Sequence, residues 1–141
     1  MIMVTSNIYI FFFLLLLFPS LMVVSENGSI LSYTHVYIKN DLGNNIPLTV
    51  HCKSKNDDLG AHHLKYQDEY KFQFKPSLFR NTLFFCGFTW DGILHWFDIY
   101  VETRDCPDYD YKSNYRWSIQ KKFACMFNPT SHAYDYCLDY H

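Results

Sequence analysis

The first 25 residues of the chain lack Asp, Glu, Lys and Arg altogether. Within this uncharged stretch, residues 8–18 form an apolar run that ends at Pro19. The length of the run and the small residues up to Ser25 are typical of a cleavable secretory signal peptide, although the usual basic residue before the core is missing. We predict a signal peptide at residues 1–25 and a mature protein that begins near Glu26.

A retained membrane anchor is the alternative interpretation of this segment. An apolar helix needs about 18 to 20 uninterrupted residues to span a bilayer, and Pro19 and Ser20 interrupt the run. We therefore expect a secreted, extracellular protein that has no membrane association after cleavage of the signal peptide.

Short motifs of common enzymes and metal sites are also missing. The chain contains no G-x-S-x-G, no H-E-x-x-H and no zinc-finger cysteine spacing, and its seven histidines are scattered. The neighbours His62 and His63 would point to opposite faces of a strand and would not chelate one ion. These absences predict a protein that is not an enzyme and has no metal or cofactor; a small secreted hydrolase is a much weaker alternative.

The charge is too balanced to predict a nucleic-acid partner. The formal net charge is −2, whereas 49% of the residues are hydrophobic and 20% are aromatic. Bulk electrostatics therefore predicts neither a nucleic-acid nor an anionic-membrane partner, and the apolar content is well clear of that of disordered chains. The mature chain of about 115 residues has room for one core, and we expect a monomer.

The dominant hydrophobic period along the mature chain is two, and no window of ten residues shows a helical stripe. Apolar and polar residues alternate along residues 48–53 and 70–75, which is typical of strands with one buried face. Further strand candidates are residues 36–38, 115–119 and 134–140. Several short strands separated by polar connections predict an all-β sandwich or barrel.

The dipeptide Asp91-Gly92 lies between two apolar runs and predicts a tight hairpin. A two-residue turn pairs Trp90 with Ile93, and the ladder then places Cys86 opposite Phe97. Continued without interruption, it places Phe84 opposite Ile99 and groups these residues with Val101 on one apolar face. The opposite face would carry Phe85, Trp96 and Tyr100, an aromatic patch suited to binding if no second sheet covers it.

All five cysteines follow the predicted cleavage point, so one thiol is left over if two disulfides form. Arithmetic alone allows 15 arrangements of two bridges and one free cysteine. Asn27 begins the only glycosylation sequon, since Asn128 is followed by a proline. Asn27 is accordingly a candidate glycosylation site.

Several blocks together resemble the plant self-incompatibility stigma-protein family, also known as the S-protein homologues. The segment HCKSKNDDLG at residues 51–60 resembles the family pattern H-C-x-S-K-D-D-D-L-G, and TLFFCGFTW at residues 82–90 resembles a second block. FDIY at residues 97–100 and WSI at residues 117–119 follow in the family's order. The resemblance covers residues 35–140 and implies an antiparallel β-sandwich.

The resemblance also implies roles for the cysteines. Tyr115 stands where the family often has a cysteine, which would leave Cys106 as an unpaired thiol in an exposed loop. The remaining cysteines would be oxidised, and we favour two bridges among them: Cys52 with Cys86, and Cys125 with Cys137. Gln120 to Lys122 also depart from the family, which commonly has a glycine after the W-x-I block.

The resemblance implies a secreted protein ligand that acts in extracellular cell–cell recognition or signalling through a cell-surface receptor protein. A secreted plant defence or inhibitor protein is the alternative. Polar loops at residues 40–45, 54–60 and 105–114 are candidate contacts. We favour the last for specificity, through Asp105, Asp108, Tyr109 and Tyr111. Asp57 and Asp58 in the second loop are better explained as turn residues, with Gly60 at positive φ.

Overall fold

The computed structural model describes residues 32–141, together with the single residue Phe13. The predicted cleavage site and the Asn27 sequon lie outside the described residues, as does the rest of the predicted signal peptide apart from Phe13. Among the described residues, no helix is both long enough and apolar enough to cross a membrane.

Nine strands and two short helical turns form the described domain. The first four strands are β1 (Thr34–Asn40), β2 (Leu48–Lys53), β3 (Asp58–Leu64) and β4 (Glu69–Phe74). The hairpin β5 (Leu83–Trp90) and β6 (Ile93–Val101) follows, then the one-turn helix α1 (Glu102–Asp105) and a 3-10 turn at Pro107–Tyr109. The last strands are β7 (Asn114–Ile119), β8 (Phe123–Asn128) and β9 (Ala133–Asp139).

The strands form two sheets, which confirms the predicted β-sandwich. One sheet has five strands in the order β4-β1-β7-β8-β9, and the other has four in the order β3-β2-β5-β6. All neighbouring strands are antiparallel except β1 and β7, which run parallel. The predicted strands at residues 36–38, 48–53, 70–75, 115–119 and 134–140 are all present within a few residues of their expected ends.

Aromatic rings fill the space between the sheets. The inward residues of β1 and β2 alternate strictly with half-buried ones, and the inner faces meet through ring contacts. Phe74 of the five-stranded sheet lies 4.6 Å from Phe84 of the other sheet, and Trp117 lies 5.0 Å from Phe97 in an edge-to-face arrangement. Such pairs add specific geometry to the burial of large apolar surfaces.

The hairpin has the predicted register near its turn and a different one further along. Trp90 pairs with Ile93 and Cys86 with Phe97, as expected. An extra residue in β6 then shifts the ladder, so that Phe84 pairs with Tyr100 rather than with Ile99. This bulge turns Tyr100 into the core, where it is fully buried beside Ile99. The prediction of an outward-facing Tyr100 is therefore wrong.

The connections between strands collect at the two ends of the sandwich. We call the end that carries residues 54–57, 75–82, 102–113 and 129–132 the loop end, because it includes the two longest connections, residues 75–82 and 102–113. The opposite end carries residues 41–47, 65–68, 91–92 and 120–122 and is called the turn end. The candidate loop at residues 40–45 thus lies at the turn end, away from the other two candidate loops.

Candidate functional site

The candidate loop at residues 105–114 is largely tied down by its own backbone. It begins inside α1 and continues through the 3-10 turn that Pro107 opens. Pro107 fixes its own φ near the helical value and needs no N–H partner. Asp108 and Tyr109 then take positive φ values of 54° and 59° at the tip of the loop.

Glu102 holds this loop against the connection between β4 and β5. Its carboxylate is buried and accepts the Thr82 N–H at 3.0 Å and the Tyr111 O–H at 2.7 Å. Its backbone N–H donates to the Thr82 carbonyl at 3.0 Å. The hydrogen bond to Glu102 raises the pKa of Tyr111 to about 12, because the phenol must stay protonated to donate.

Arg80 is a second connection between the same two segments. Its Nη2 donates to the Cys106 carbonyl at 2.7 Å, and its guanidinium lies 4.2 Å from the centre of the Tyr109 ring. A guanidinium over an aromatic face is attractive and also orders the ring. Residues 77–82 and 105–111 therefore form one structural unit, which we call the loop platform.

The loop platform presents large apolar side chains to solvent. Phe79 is 88% exposed, Tyr109 is 69% exposed and Leu78 is 67% exposed. Leu78 and Phe79 sit in the turn that the Arg80 N–H closes on the Ser77 carbonyl. Exposed aromatic side chains on an ordered support are typical of protein-binding surfaces. Binding removes a large apolar surface from water, and these rigid side chains lose little conformational entropy.

The four predicted contact residues therefore separate into two kinds. Asp105 is buried, where it accepts the Val101 N–H at 2.9 Å and pairs with Arg104 at 2.7 Å. Tyr111 is half-buried in its bond to Glu102. Asp108 and Tyr109 are exposed and available to a partner.

Sequence reasoning missed Leu78 and Phe79, which lie in a connection that was not considered as a site. The available signal was two large apolar residues after Pro76, in a stretch without strand alternation, followed by Arg80.

Cys106 is the one free cysteine of the described residues, but it is buried rather than exposed. Burial raises the pKa of its thiol. The expectation of an exposed loop thiol is therefore wrong, since α1 and the 3-10 turn fold this position inward. Burial also raises the pKa of the neighbouring loop-end residue Tyr115, whose O–H donates to the Asp105 carbonyl at 3.1 Å.

The other four cysteines form two disulfides between paired strands. Cys52 of β2 is bonded to Cys86 of β5 in the core, and Cys125 of β8 is bonded to Cys137 of β9. These are the two pairings that we favoured from the sequence. The first bridge lies next to residues 54–57 and a few residues from the loop platform, so it anchors strands that support the loop end.

The segment at residues 54–60 is shorter as a loop than expected, because β3 begins at Asp58. Ser54 closes the turn by accepting the Asp57 N–H on its hydroxyl oxygen at 3.1 Å and donating its own N–H to the Asp57 carbonyl at 2.8 Å. Gly60 has the predicted positive φ, at 74°. The turn interpretation therefore holds for Asp57, whereas Asp58 and Gly60 belong to β3.

Asp58 is the most electrostatically perturbed carboxylate in this segment. Its Oδ1 accepts the Gly60 N–H at 3.0 Å and contacts His51 Nε2 at 2.5 Å, and its Oδ2 lies 3.5 Å from Lys53 Nζ. The Gly60 hydrogen bond first, and then His51 and Lys53, lower its pKa to about 2. No group of three or more metal-ligating side chains occurs within the described part of the chain.

A groove of about 860 Å³ joins this turn to the loop platform. Phe74 and Phe84 form part of its wall, and Lys55 and Lys75 lie along it. The turn at residues 54–57 and the loop platform therefore border one continuous surface at the loop end.

The outer face of the four-stranded sheet carries a smaller aromatic patch than predicted. Trp96 is 45% exposed and its ring lies 6.0 Å from that of half-buried Phe85, but Tyr100 is in the core. Trp96 also covers Gly87, where an added Cβ would lie 3.4 Å from the indole and 2.9 Å from Leu94. Part of the Trp96 surface thus packs against Gly87 of the neighbouring strand β5.

Comparison with known proteins agrees with this architecture. The family model of the plant self-incompatibility protein S1 matches residues 35–140. S-protein homolog 2 of Arabidopsis thaliana is 40% identical over 104 residues, which cover 72% of this chain and 65% of that protein. S-protein homolog 5 of the same plant is 46% identical over 85 residues, covering 57% and 66%. The matched region thus spans just under two thirds of the length of these two relatives.

A solved structure is similar in fold. It is described as that of SPH (self-incompatibility protein homologue) proteins, a widespread family of small, highly stable, secreted proteins from plants. It matches with a TM-score of 0.51 and 22% identity, over 68% of this chain and 84% of that one. The shared β-sandwich and the match over residues 35–140 confirm the resemblance carried by the sequence blocks. This chain therefore belongs to the plant self-incompatibility protein S1 family of small secreted plant proteins.

Proposed function

We propose that this protein is a secreted, non-enzymatic ligand that acts in extracellular recognition or signalling by binding a protein on the plant cell surface. The loop platform is the contact site in this proposal. The observation that carries it is the exposure of Leu78, Phe79 and Tyr109 on two segments that Arg80 and Glu102 join.

The construction of the loop platform supports a binding role. A flexible loop loses conformational entropy when it binds, whereas a loop that is already held in place loses less. Buried Glu102 and half-buried Arg80 fix the two segments of the loop platform through polar and ring contacts. The apolar side chains of the loop platform remain exposed. The partner surface would accordingly offer an apolar pocket for Phe79 and Tyr109.

The surrounding charges further define the partner. Asp108 and Asp110 are exposed beside Tyr109, whereas the Arg80 guanidinium is occupied by Cys106 and the Tyr109 ring. The tip of the loop platform is therefore locally acidic. A complementary partner would present basic residues around its apolar pocket, and its association would weaken as the salt concentration rises.

The test measures binding of fluorescently labelled mature protein, residues 26–141, to panels of plant tissue. The variant carries Phe79→Ser and Tyr109→Ser, and the control carries Tyr66→Ser and Ile93→Ser at the turn end, where these side chains are 41% and 58% exposed. We expect saturable binding that falls by about tenfold or more in the loop-platform variant and is unchanged in the control. Equal binding by all three proteins would remove the loop platform from the proposal, and an absence of saturable binding to any tissue would contradict the proposal itself.

A further inference from the structure

The five-stranded sheet opens between β7 and β8 at the loop end. Pairing between these strands runs from Ile119 with Ala124 to Trp117 with Met126 and stops there. The first residues of β7, Asn114 to Arg116, continue to pair with β1 on their other side, and Phe127 and Asn128 of β8 continue to pair with β9. The two strands thus separate while each stays in the sheet, and a cleft of about 530 Å³ lies between them.

Three cationic side chains and one carboxylate line this cleft. The carboxylate belongs to Asp105 and is neutralised by Arg104, whose Nε and Nη2 both donate to it at 2.7 Å. Arg116 lies 3.4 Å from Glu69 at the outer side of the sheet. The Lys112 ammonium has neither a hydrogen bond nor an ion pair among the described residues. The cleft therefore keeps a surplus of positive charge.

The rest of the wall is mainly apolar. Pro107, Phe127 and Tyr136 contribute large hydrophobic surfaces, and Tyr136 is 44% exposed. Small-molecule sites in proteins are concave and mostly apolar, with a few placed polar groups, and have volumes of roughly 300 to 1,000 Å³. The cleft has both properties, whereas the larger groove beside the loop platform is about as polar as it is apolar.

We propose that the cleft between β7 and β8 binds a carboxylate attached to an aromatic or branched apolar group. The carboxylate would contact Lys112, and the apolar group would lie against Phe127 and Tyr136. Two kinds of ligand carry a carboxylate beside such an apolar group: a free small organic acid and the C-terminal residue of a peptide. The cleft shares Asp105 and Pro107 with the loop platform but does not include Leu78, Phe79 or Tyr109, so the proposed site extends beyond the receptor-binding role.

The test is calorimetric titration of the purified mature protein and needs no receptor. The probes are 3-phenylpropionate for the free acid and the tripeptide Gly-Gly-Phe for the peptide terminus, each compared with its amide. Saturable one-to-one binding of either carboxylate, with loss of binding for the matching amide, is the expected result, and the probe that binds identifies the source. Binding of neither carboxylate, or equal binding of carboxylate and amide, overturns the proposal.

Two pairs of variants locate the site. Lys112→Gln removes the unpaired charge, and Lys121→Gln removes an exposed lysine at the turn end. Tyr136→Ser removes an apolar wall, and Tyr66→Ser removes a tyrosine of similar exposure, 41%, outside the cleft. We expect affinity to fall by about fivefold or more for the two cleft variants and to be unchanged for the two controls. Equal losses in the cleft variants and their controls would place the binding elsewhere and overturn the assignment.

Discussion

The two ends of the sandwich use buried polar side chains in different ways. At the turn end, the Asn40 amide is fully buried and donates to the carbonyls of Ile46 and Leu64 while accepting the Leu42 N–H. At the loop end, Glu102 and Arg80 bind backbone groups of loops whose apolar side chains remain outside. The buried side chain at the turn end holds neighbouring connections together, whereas those at the loop end hold loops that present an exposed apolar surface.

This difference separates stability from recognition. The turn at Asp91 and Gly92 needs two residues with φ values of 51° and 74°. No connection at the turn end is longer than the one formed by residues 41–47. Ile93 and Leu94 are exposed there, yet they lie in a strand beside a tight turn rather than on a projecting loop. We therefore expect changes at the turn end to affect folding and changes on the exposed surface of the loop end to affect binding.

The largest expected effect comes from removing the buried disulfide that anchors strands of the loop end. Replacing Cys52 and Cys86 together by Ala should reduce the free energy of unfolding by about 4 kcal/mol, because the bridge spans 34 residues of chain. Replacing Cys125 and Cys137, which are 12 residues apart, should cost about 3 kcal/mol. Urea denaturation of both variants measures these losses, and a larger loss for the second pair would contradict the ranking.

The next effect belongs to the turn end. Asn40→Ala would leave two carbonyl groups and one N–H without their partner, at a cost of about 3 kcal/mol. Asn56→Ala at an exposed position of the loop end is the matched control and should change stability by less than about 0.5 kcal/mol. Thermal and urea denaturation check both values. Similar losses in the two variants would show that the ends do not differ as described.

A smaller effect is expected within the loop platform. Arg80→Lys keeps the positive charge but loses the planar contact with Tyr109 and the geometry of the Cys106 bond, which together contribute about 1 kcal/mol. Hydrogen exchange at residues 106–111 should become faster, while exchange in β1 and β2 stays the same. Unchanged exchange at residues 106–111 would mean that Arg80 does not order the loop platform.

The smallest effect concerns the acid dependence of the turn at residues 54–57 and the start of β3. The folded pKa of Asp58 is about 2, below its ordinary value of 3.8, so its carboxylate stabilises the fold above pH 3.8. This contribution is lost as the pH falls through 2. The wild-type protein should therefore lose more stability between pH 3.8 and pH 2 than Asp58→Asn does. Parallel acid dependence of the two proteins in urea denaturation would contradict this assignment.

Much of the fold could be predicted because its strands have one solvent-exposed face and one buried face. The alternation in β2 and β4 and the turn at Asp91 and Gly92 are local signals, and each is present in the structure. β3 and β8 were not predicted, since neither segment alternates cleanly. The bulge in β6 and the parallel pairing of β1 with β7 depend on contacts between distant segments, which no local pattern reveals.

The candidate site was predicted only in part for a related reason. Tyr109 was correctly expected on the surface, because aromatic residues in polar loops have few local partners. Asp105 and Tyr111 looked equivalent to it in the sequence, but their burial depends on Val101 and on Glu102. Leu78 and Phe79 belong to the same surface because Arg80 binds Cys106 and Glu102 binds Thr82, which are contacts between residues 26 and 20 positions apart.

The most direct test of the account is an exchange of the loop platform between two family members that bind different plant tissues. Residues 77–82 and 105–111 are exchanged together, and a control chimera exchanges residues 41–47 at the turn end. We expect tissue binding to follow the loop platform and to transfer less when residues 105–111 are exchanged alone. We expect the turn-end chimera to bind as its parent does. Binding that stays with the rest of the sandwich in a folded loop-platform chimera would contradict it.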